Sequence, residues 1–245
     1  MRNSFAGLLL ALGLGAGTVF AADAPAAPET PAAATVPAAI EVGDITFTGS
    51  FPLAGKTLLL QGAGLRQIVF FKVYGAALYV EKHAASTADV FSADTPRAVR
   101  LGLLRNVKGT DFIEALESGL DANLTPEGKS AITNELDQLK DLMRAIGDVK
   151  KGDMVDFEYT TENGTTLRLN GKPVGPSIAG KALYDAVLAI WLGERPIDNR
   201  LKEAMMSFYN VLIHNKIPAF RTLFCRNIFD FLCFATNINL NIGVN

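Results

Sequence analysis

Between residues 155 and 169 the chain spells out a β-hairpin. Val155, Phe157 and Tyr159 alternate with Asp156, Glu158 and Thr160, the period of a strand whose two faces meet different surroundings. Asn163-Gly164 supplies the turn, and Leu167 and Leu169 return on the apolar side. Asn170-Gly171 turns the chain again towards Pro173-Val174. Strands joined this way are antiparallel. Upstream, Ile45, Phe47 and Phe51-Pro52 predict a strand and a turn, and Thr57 to Leu60 a second strand. Gly62-Ala63-Gly64 reads as a tight connection into a long apolar run from Gln67 to Val80, and Val99 to Leu104 as a further strand.

Helices fall between and after these strands. Thr110 is placed to cap a helix carrying Phe112, Ile113, Leu116 and Leu120. Thr125-Pro126-Glu127 joins a capping hydroxyl, a first-turn proline and an acid at the positive dipole end. Behind it Ile132, Leu136, Leu139, Met143 and Ile146 form one apolar stripe, with Gly147 as its stop. Another helix is predicted from Ser177 to near Gly193, and a short one over Asp198 to Met206. Strands, then helices, then a hairpin and helices give an α+β fold with helices on one side of an antiparallel sheet. A doubly wound parallel sheet needs single alternation, which is missing.

The two ends differ from the middle. Arg2 precedes an apolar run from Phe5 to Phe20, and Val19-Phe20-Ala21 closes it. This is the pattern of an export signal cleaved after Ala21. The run is shorter than the ~20 residues of a membrane helix, so no stable membrane span is expected after cleavage. Residues 22–40 are almost wholly Ala and Pro with scattered Thr, a composition that forms a tether and not a core. The expected organisation is a signal peptide over 1–21, a disordered tether over 22–40, a folded domain over 41–206 and a tail over 207–245. The protein is expected to be exported to the periplasm. In the tail the composition shifts abruptly to Phe, Ile and Asn, residues of A/T-rich codons, without helical or strand period. A frameshift or read-through accounts for it; an extra helix packed on the core is the alternative.

Charged residues make up 20% of the chain and the formal net charge is -2, so nothing favours a nucleic-acid partner. Cys225 and Cys233 both lie in the tail, without zinc spacing, and His83 and His214 are the only histidines. No metal site, Ser-His-Asp triad or cofactor is expected. Gly62 and Gly64 do not make a phosphate loop, because no Gly-Lys-Ser/Thr and no helix follow. His83 reads as a surface residue and Trp191 as core. What remains is Arg66, a cation at the mouth of an apolar run that carries Lys72, Tyr74 and Tyr79. That suits a pocket for an anionic or phenolic molecule with an apolar body. The structural alternative is a turn arginine paired with a surface carboxylate.

Three stretches together resemble the chalcone-isomerase-like family, in particular its bacterial exported branch. They are Gly62-Ala63-Gly64-Leu65-Arg66, Phe71 to Tyr79 with its Lys72-Val73-Tyr74-Gly75, and Leu188 to Ile197 with Trp191-Leu192-Gly193-Glu194-Arg195-Pro196, followed by Leu201-Lys202. The resemblance implies an open-faced β-sandwich, a large antiparallel sheet covered by a layer of helices with a ligand cleft between. It also implies three possible functions. Members that cyclise chalcones use an arginine at the position of Arg66 to stabilise developing negative charge. Their other catalytic positions fall on Tyr74, Asp111, Ser118 and Ile190, and Ile190 has no hydroxyl, which argues against that reaction. Members that bind fatty acids grip the carboxylate with an arginine and a tyrosine matching Arg66 and Tyr74. Other members act through protein partners.

Three readings follow: a non-catalytic binder of an apolar, fatty-acid-like carboxylate; a cofactor-free isomerase or intramolecular lyase using Arg66; and an envelope interaction module with a vestigial cleft. The first sets a geometric condition. In one unbroken strand Arg66 and Tyr74 would lie about 26 Å apart, at roughly 3.3 Å per residue. They converge only if the chain turns or bulges between about Gln67 and Phe71.

Overall fold

The computed structural model describes residues 39–207. The apolar leader, nearly all of the Ala/Pro segment, both cysteines and His214 lie outside the described residues. The described chain opens with a small sheet of β1 (Ile40–Val42) and β2 (Ile45–Phe47). Seven strands then form the main sheet in simple chain order: β3 (Ser50–Leu53), β4 (Lys56–Ile68), β5 (Phe71–Val80), β6 (Arg97–Leu103), β7 (Met154–Thr160), β8 (Gly164–Leu169) and β9 (Lys172–Pro173). Every neighbouring pair is antiparallel. The helices are α1 (Thr87–Ser92), α2 (Gly109–Asn123), α3 (Pro126–Ser130), α4 (Thr133–Ile146), α5 (Lys181–Leu192) and α6 (Asn199–Met206). This is the expected α+β architecture, a large antiparallel sheet covered by helices.

Each face of the sheet has its own core. On the helix side Leu101, Phe157 and Leu167 pack with Leu120, Leu139 and Val187. On the other side the β1–β2 hairpin and β3 cover Leu58, Leu60 and Tyr79. The small hairpin seats itself in a slot made by two cross-strand glycines, Gly75 and Gly102. A Cβ on Gly75 would stand 3.0 Å from the Phe47 ring, and one on Gly102 would stand 2.6 Å from Ile45. Phe47 is 1% exposed, a burial that contributes about 1.5–3 kcal/mol. The polar face of the 155–160 strand is also covered. Asp156 accepts two bonds from Arg100 at 2.6 and 2.9 Å, and Glu158 accepts one from Arg168 at 2.7 Å, so these buried carboxylates are paired, as burial demands.

Several local expectations hold and several change. Thr125 caps its helix by accepting from the Gly128 N–H, but the helix breaks after Ser130 and restarts at Thr133. Ile132, Leu136, Leu139 and Met143 are buried as one stripe, and Gly147, at φ +67°, ends it. Thr110 is not a cap. The first turn of α2 is held from a distance, by the Asp148 carboxylate accepting from the Gly109 N–H at 3.0 Å. The last long helix begins at Lys181, not Ser177, because Ile178 exchanges backbone hydrogen bonds with Thr165 first. Helix α1 was not anticipated, although Ser86 and Asp89 form a complete capping box before it.

The largest correction concerns the glycine run. Gly62-Ala63-Gly64 is no turn; it lies inside β4, a strand of 13 residues. The chain reverses at Val69-Phe70, where Ile68 pairs with Phe71. Two-residue turns normally carry Gly or Asn where φ is positive. Here Val69 has φ +54°, a left-handed conformation that costs an ordinary residue roughly 1–2 kcal/mol. Nothing local in Ile68-Val69-Phe70-Phe71 signals a turn, so the sequence reads through it.

Candidate functional site

The β4–β5 hairpin meets the condition set by Arg66 and Tyr74. With the reversal at Val69-Phe70 the two residues become direct cross-strand partners, a relation that places Cβ atoms about 4.5–5.5 Å apart. A bulge in β4 decides which face they use. The pairing slips between Leu60 and Gly62, so Gln61 is an extra residue and the alternation of faces inverts after it. Leu58 and Leu60 point to the outer core. Gly62, Gly64 and Arg66 face the helices instead, opposite Leu78, Ala76 and Tyr74. Gln61 itself is fully buried and spends its amide on the Ala84 backbone and the Met206 carbonyl.

The two glycines admit α6. A Cβ on Gly62 would lie 2.3 Å from the Ala204 carbonyl oxygen, and one on Gly64 would lie 2.5 Å from the Ala204 Cβ. Helix α6 therefore rests directly on bare strand backbone. Its N-cap, Asp198, arrives beside Arg66, and the two form an ion pair at 3.2 Å. Arg66 also donates to the Gln67 carbonyl at 3.1 Å through the same Nη1.

Tyr74 reaches inward. Its hydroxyl accepts from Trp191 Nε1 at 3.1 Å. Among the described residues no acceptor takes the phenol's own proton, so that donor stays available. Burial raises the Tyr74 pKa above the ordinary tyrosine value; the Trp191 bond and the Arg66 charge counter it, and Asp198 adds to it. The phenol is neutral across the physiological range.

Beside this pair lies a cavity of about 50 Å³. Its sheet wall is Tyr74, Leu101 and Phe157, and its helix wall includes Phe112, Leu116 and Ile190. Trp191 and Ile197 complete the lining. The Phe157 ring contacts those of Phe112, at 6.4 Å, and Trp191, at 5.9 Å. Apart from the phenol and the indole N–H, the side chains named here are apolar. The volume holds a small group; pockets for drug-sized ligands measure about 300–1,000 Å³. A long-chain ligand would require the helix layer to part from the sheet.

The remaining candidates do not join this cluster. Tyr79 is fully buried on the opposite face of the sheet, where its hydroxyl donates to the Thr48 carbonyl at 2.9 Å. It lies five positions after Tyr74 in the same strand, an odd offset, so the two point to different faces. Lys72 is exposed beside the turn, and Asp111 and Ser118 are exposed on α2, with neither lining the cavity. His83 is half-buried and not a surface residue; its Nδ1 lies 3.3 Å from the Gln61 side-chain oxygen, and burial lowers its pKa. Asp198 went unrecognised in sequence as part of this cluster. Its Asp-Asn-Arg-Leu context marks a helix cap, but nothing local says which cation it meets. Trp191 was read only as core; its hydrogen bond to Tyr74 spans more than a hundred residues. Among the described residues no group of His, Cys, Asp and Glu is placed to hold a metal, and no helix is long and apolar enough to cross a membrane.

The chalcone isomerase-like family profile matches residues 39–207. The crystal structure of an Arabidopsis thaliana fatty-acid binding protein superposes with a TM-score of 0.50 at 17% identity, covering 66% of this chain and 92% of that one. At that identity the likeness speaks to the fold. No match was found among curated proteins.

Proposed function

The chain belongs to the chalcone isomerase-like family, and from that premise we propose that it is a non-catalytic binder of an apolar carboxylate. The observation that carries the reading is the cross-strand pairing of Arg66 with Tyr74, whose ring lines an apolar cavity. A guanidinium and a phenol with a free proton make a two-point receptor for a carboxylate, and the cavity beyond them takes the first part of an alkyl chain. The fatty-acid binding protein of similar fold supports the same ligand class. Ile190 in the cavity wall offers only alkyl surface, so proton transfer at that position has no agent. The alternative of a cofactor-free isomerase rests on Arg66 alone. In the same proposal the protein works outside the cytoplasm, with residues 1–21 as a removed signal and the Ala/Pro stretch from residue 22 up to β1 as a tether.

Ligand entry involves two adjustments. The carboxylate competes with Asp198 for Arg66, and the helix layer yields to the chain. Trp191 is the sole tryptophan and touches Tyr74, so its fluorescence reports the site directly. Titration of the full chain with dodecanoate is expected to change Trp191 emission saturably, and dodecanol to bind more weakly. Arg66→Ala is expected to weaken the carboxylate by about 2 kcal/mol, roughly 30-fold, the worth of a hydrogen bond to a charged group. Equal response to the acid and the alcohol, or none to either, refutes the reading.

A further inference from the structure

The turn of the β4–β5 hairpin carries the most exposed apolar surface among the described residues. Ile68, Val69, Phe70 and Phe71 are 52%, 72%, 86% and 64% exposed. A run of this length on a surface is an error of design unless it has a use. Its shape narrows the use. The run occupies the end of a two-residue turn, so it is a convex finger and enters something, where a groove would receive. The sequence also holds Val69 in the left-handed conformation, where glycine or asparagine would relieve strain without disturbing a neighbour. Such strain persists at sites that serve binding.

The charge around the finger points to one occupant. Lys72 follows it directly and is exposed. Arg105, on the turn after β6, stands 5.5 Å over the Phe71 ring, and Lys108 is exposed on the same turn. Neither residues 66–72 nor residues 104–108 contain an acid, although the whole chain has a formal net charge of -2. The nearby Asp44 is engaged by Lys151 at 3.0 Å. An apolar aromatic tip with a cationic collar set behind it matches the two layers of an anionic bilayer surface: acyl chains for the tip, lipid phosphates for the collar.

We propose that the Ile68–Phe71 hairpin tip docks this domain onto anionic lipid bilayers, with Phe70 and Val69 inserted and Lys72 and Arg105 at the headgroup phosphates. Docking would hold the Arg66–Tyr74 pair just behind the inserted turn, at the depth where a lipid-derived carboxylate resides. The docking itself does not depend on cargo, so plain vesicles test it separately from ligand binding.

The experiment is co-sedimentation of the full chain with vesicles of equimolar phosphatidylcholine and phosphatidylglycerol, against vesicles of phosphatidylcholine alone. Binding is expected to the mixed vesicles and to fall with added salt. Phe70→Asp, and separately Lys72→Glu with Arg105→Glu, are expected to lower partitioning about tenfold or more at an unchanged melting temperature, because the altered side chains are exposed. Insertion is read directly with Phe70→Trp, whose emission should be quenched by brominated acyl chains beyond any change that the parent chain's Trp191 shows with the same vesicles. Undiminished sedimentation of Phe70→Asp, or an unquenched Phe70→Trp, overturns the proposal. A dimer in sedimentation velocity that Phe70→Asp dissolves also overturns it, and assigns the tip to a second copy of the chain.

Discussion

Asp198 holds Arg66 with one carboxylate oxygen and caps α6 with the other. Oδ2 meets the guanidinium at 3.2 Å, while Oδ1 accepts from the Arg200 and Leu201 N–H groups at 3.0 and 3.3 Å. One side chain thus fixes the start of α6 and occupies the cation proposed to receive a ligand. Asp198→Asn keeps a good capping residue and discharges the pair. It is expected to bind dodecanoate several-fold more tightly than the parent, with little change in melting temperature. Asp198→Ala also loses the cap, a cost of about 1 kcal/mol. Weaker carboxylate binding by Asp198→Asn, measured by Trp191 fluorescence, would show that the aspartate assists the ligand and does not compete.

Gly62 is expected to be intolerant of any side chain. Its Cβ would meet the Ala204 carbonyl, a backbone atom that cannot rotate aside. Gly62→Ala should cost about 3 kcal/mol, near the upper end for overpacking, read as a shift in the denaturant midpoint. Gly55, whose added Cβ would meet nothing, is the control for the contact, although its φ of +74° adds backbone strain. A Gly62→Ala loss no larger than that of Gly55→Ala would mean that α6 does not rest on β4 in solution.

The tyrosines predict alkaline behaviour. Burial pushes Tyr79 up to about 12 and Tyr159 up to about 12, the latter also through its hydrogen bond to Asp94. Tyr74 and Tyr184 are raised by burial as well. A phenol whose pKa is higher folded than unfolded contributes stability that is whole below the unfolded value, about 10, and is lost as pH rises through the folded value. Absorbance at 295 nm should therefore show at least three of the five tyrosines, Tyr79, Tyr159 and Tyr184, silent at pH 10. They should ionise together with unfolding as the pH approaches 12. Independent titration of all five near pH 10 in the folded protein contradicts this.

Arg97 predicts a second stability determinant far from the cavity. It is 1% exposed, lies 4.9 and 5.3 Å from the Tyr159 and Tyr184 rings, and donates to Asp185 at 2.8 Å. Asp185→Ala leaves this buried guanidinium on the Val90 and Ala93 carbonyls without its counter-charge and should cost about 3 kcal/mol in chemical denaturation. A loss below ~1 kcal/mol, the value of an exposed pair, would mean that water reaches Arg97.

The sequence displayed the 155–169 hairpin, the helix cap at Thr125, and the apolar stripe of Ile132 to Met143 because each depends on neighbours a few residues away. Period, turn residues and capping groups are local signals. They were sufficient for the α+β class and, with three short stretches in order, for the family. The hairpin turn at Val69-Phe70 was not legible, because its residues contradict turn preference and are retained despite their strain. The Gly62-Gly64 run was misread for the complementary reason. Glycine signals a turn in isolation, but here it answers to a helix arriving from residue 199 onwards. Sequence alone thus determined the kinds of element and nominated Arg66 and Tyr74. Only the tertiary structure decided that a bulge at Gln61 and a turn at Val69 place the two side chains opposite one another on the helix face, and that Asp198 and Trp191 complete the site. Those outcomes depend on strand register, and register is set by packing across the whole sheet.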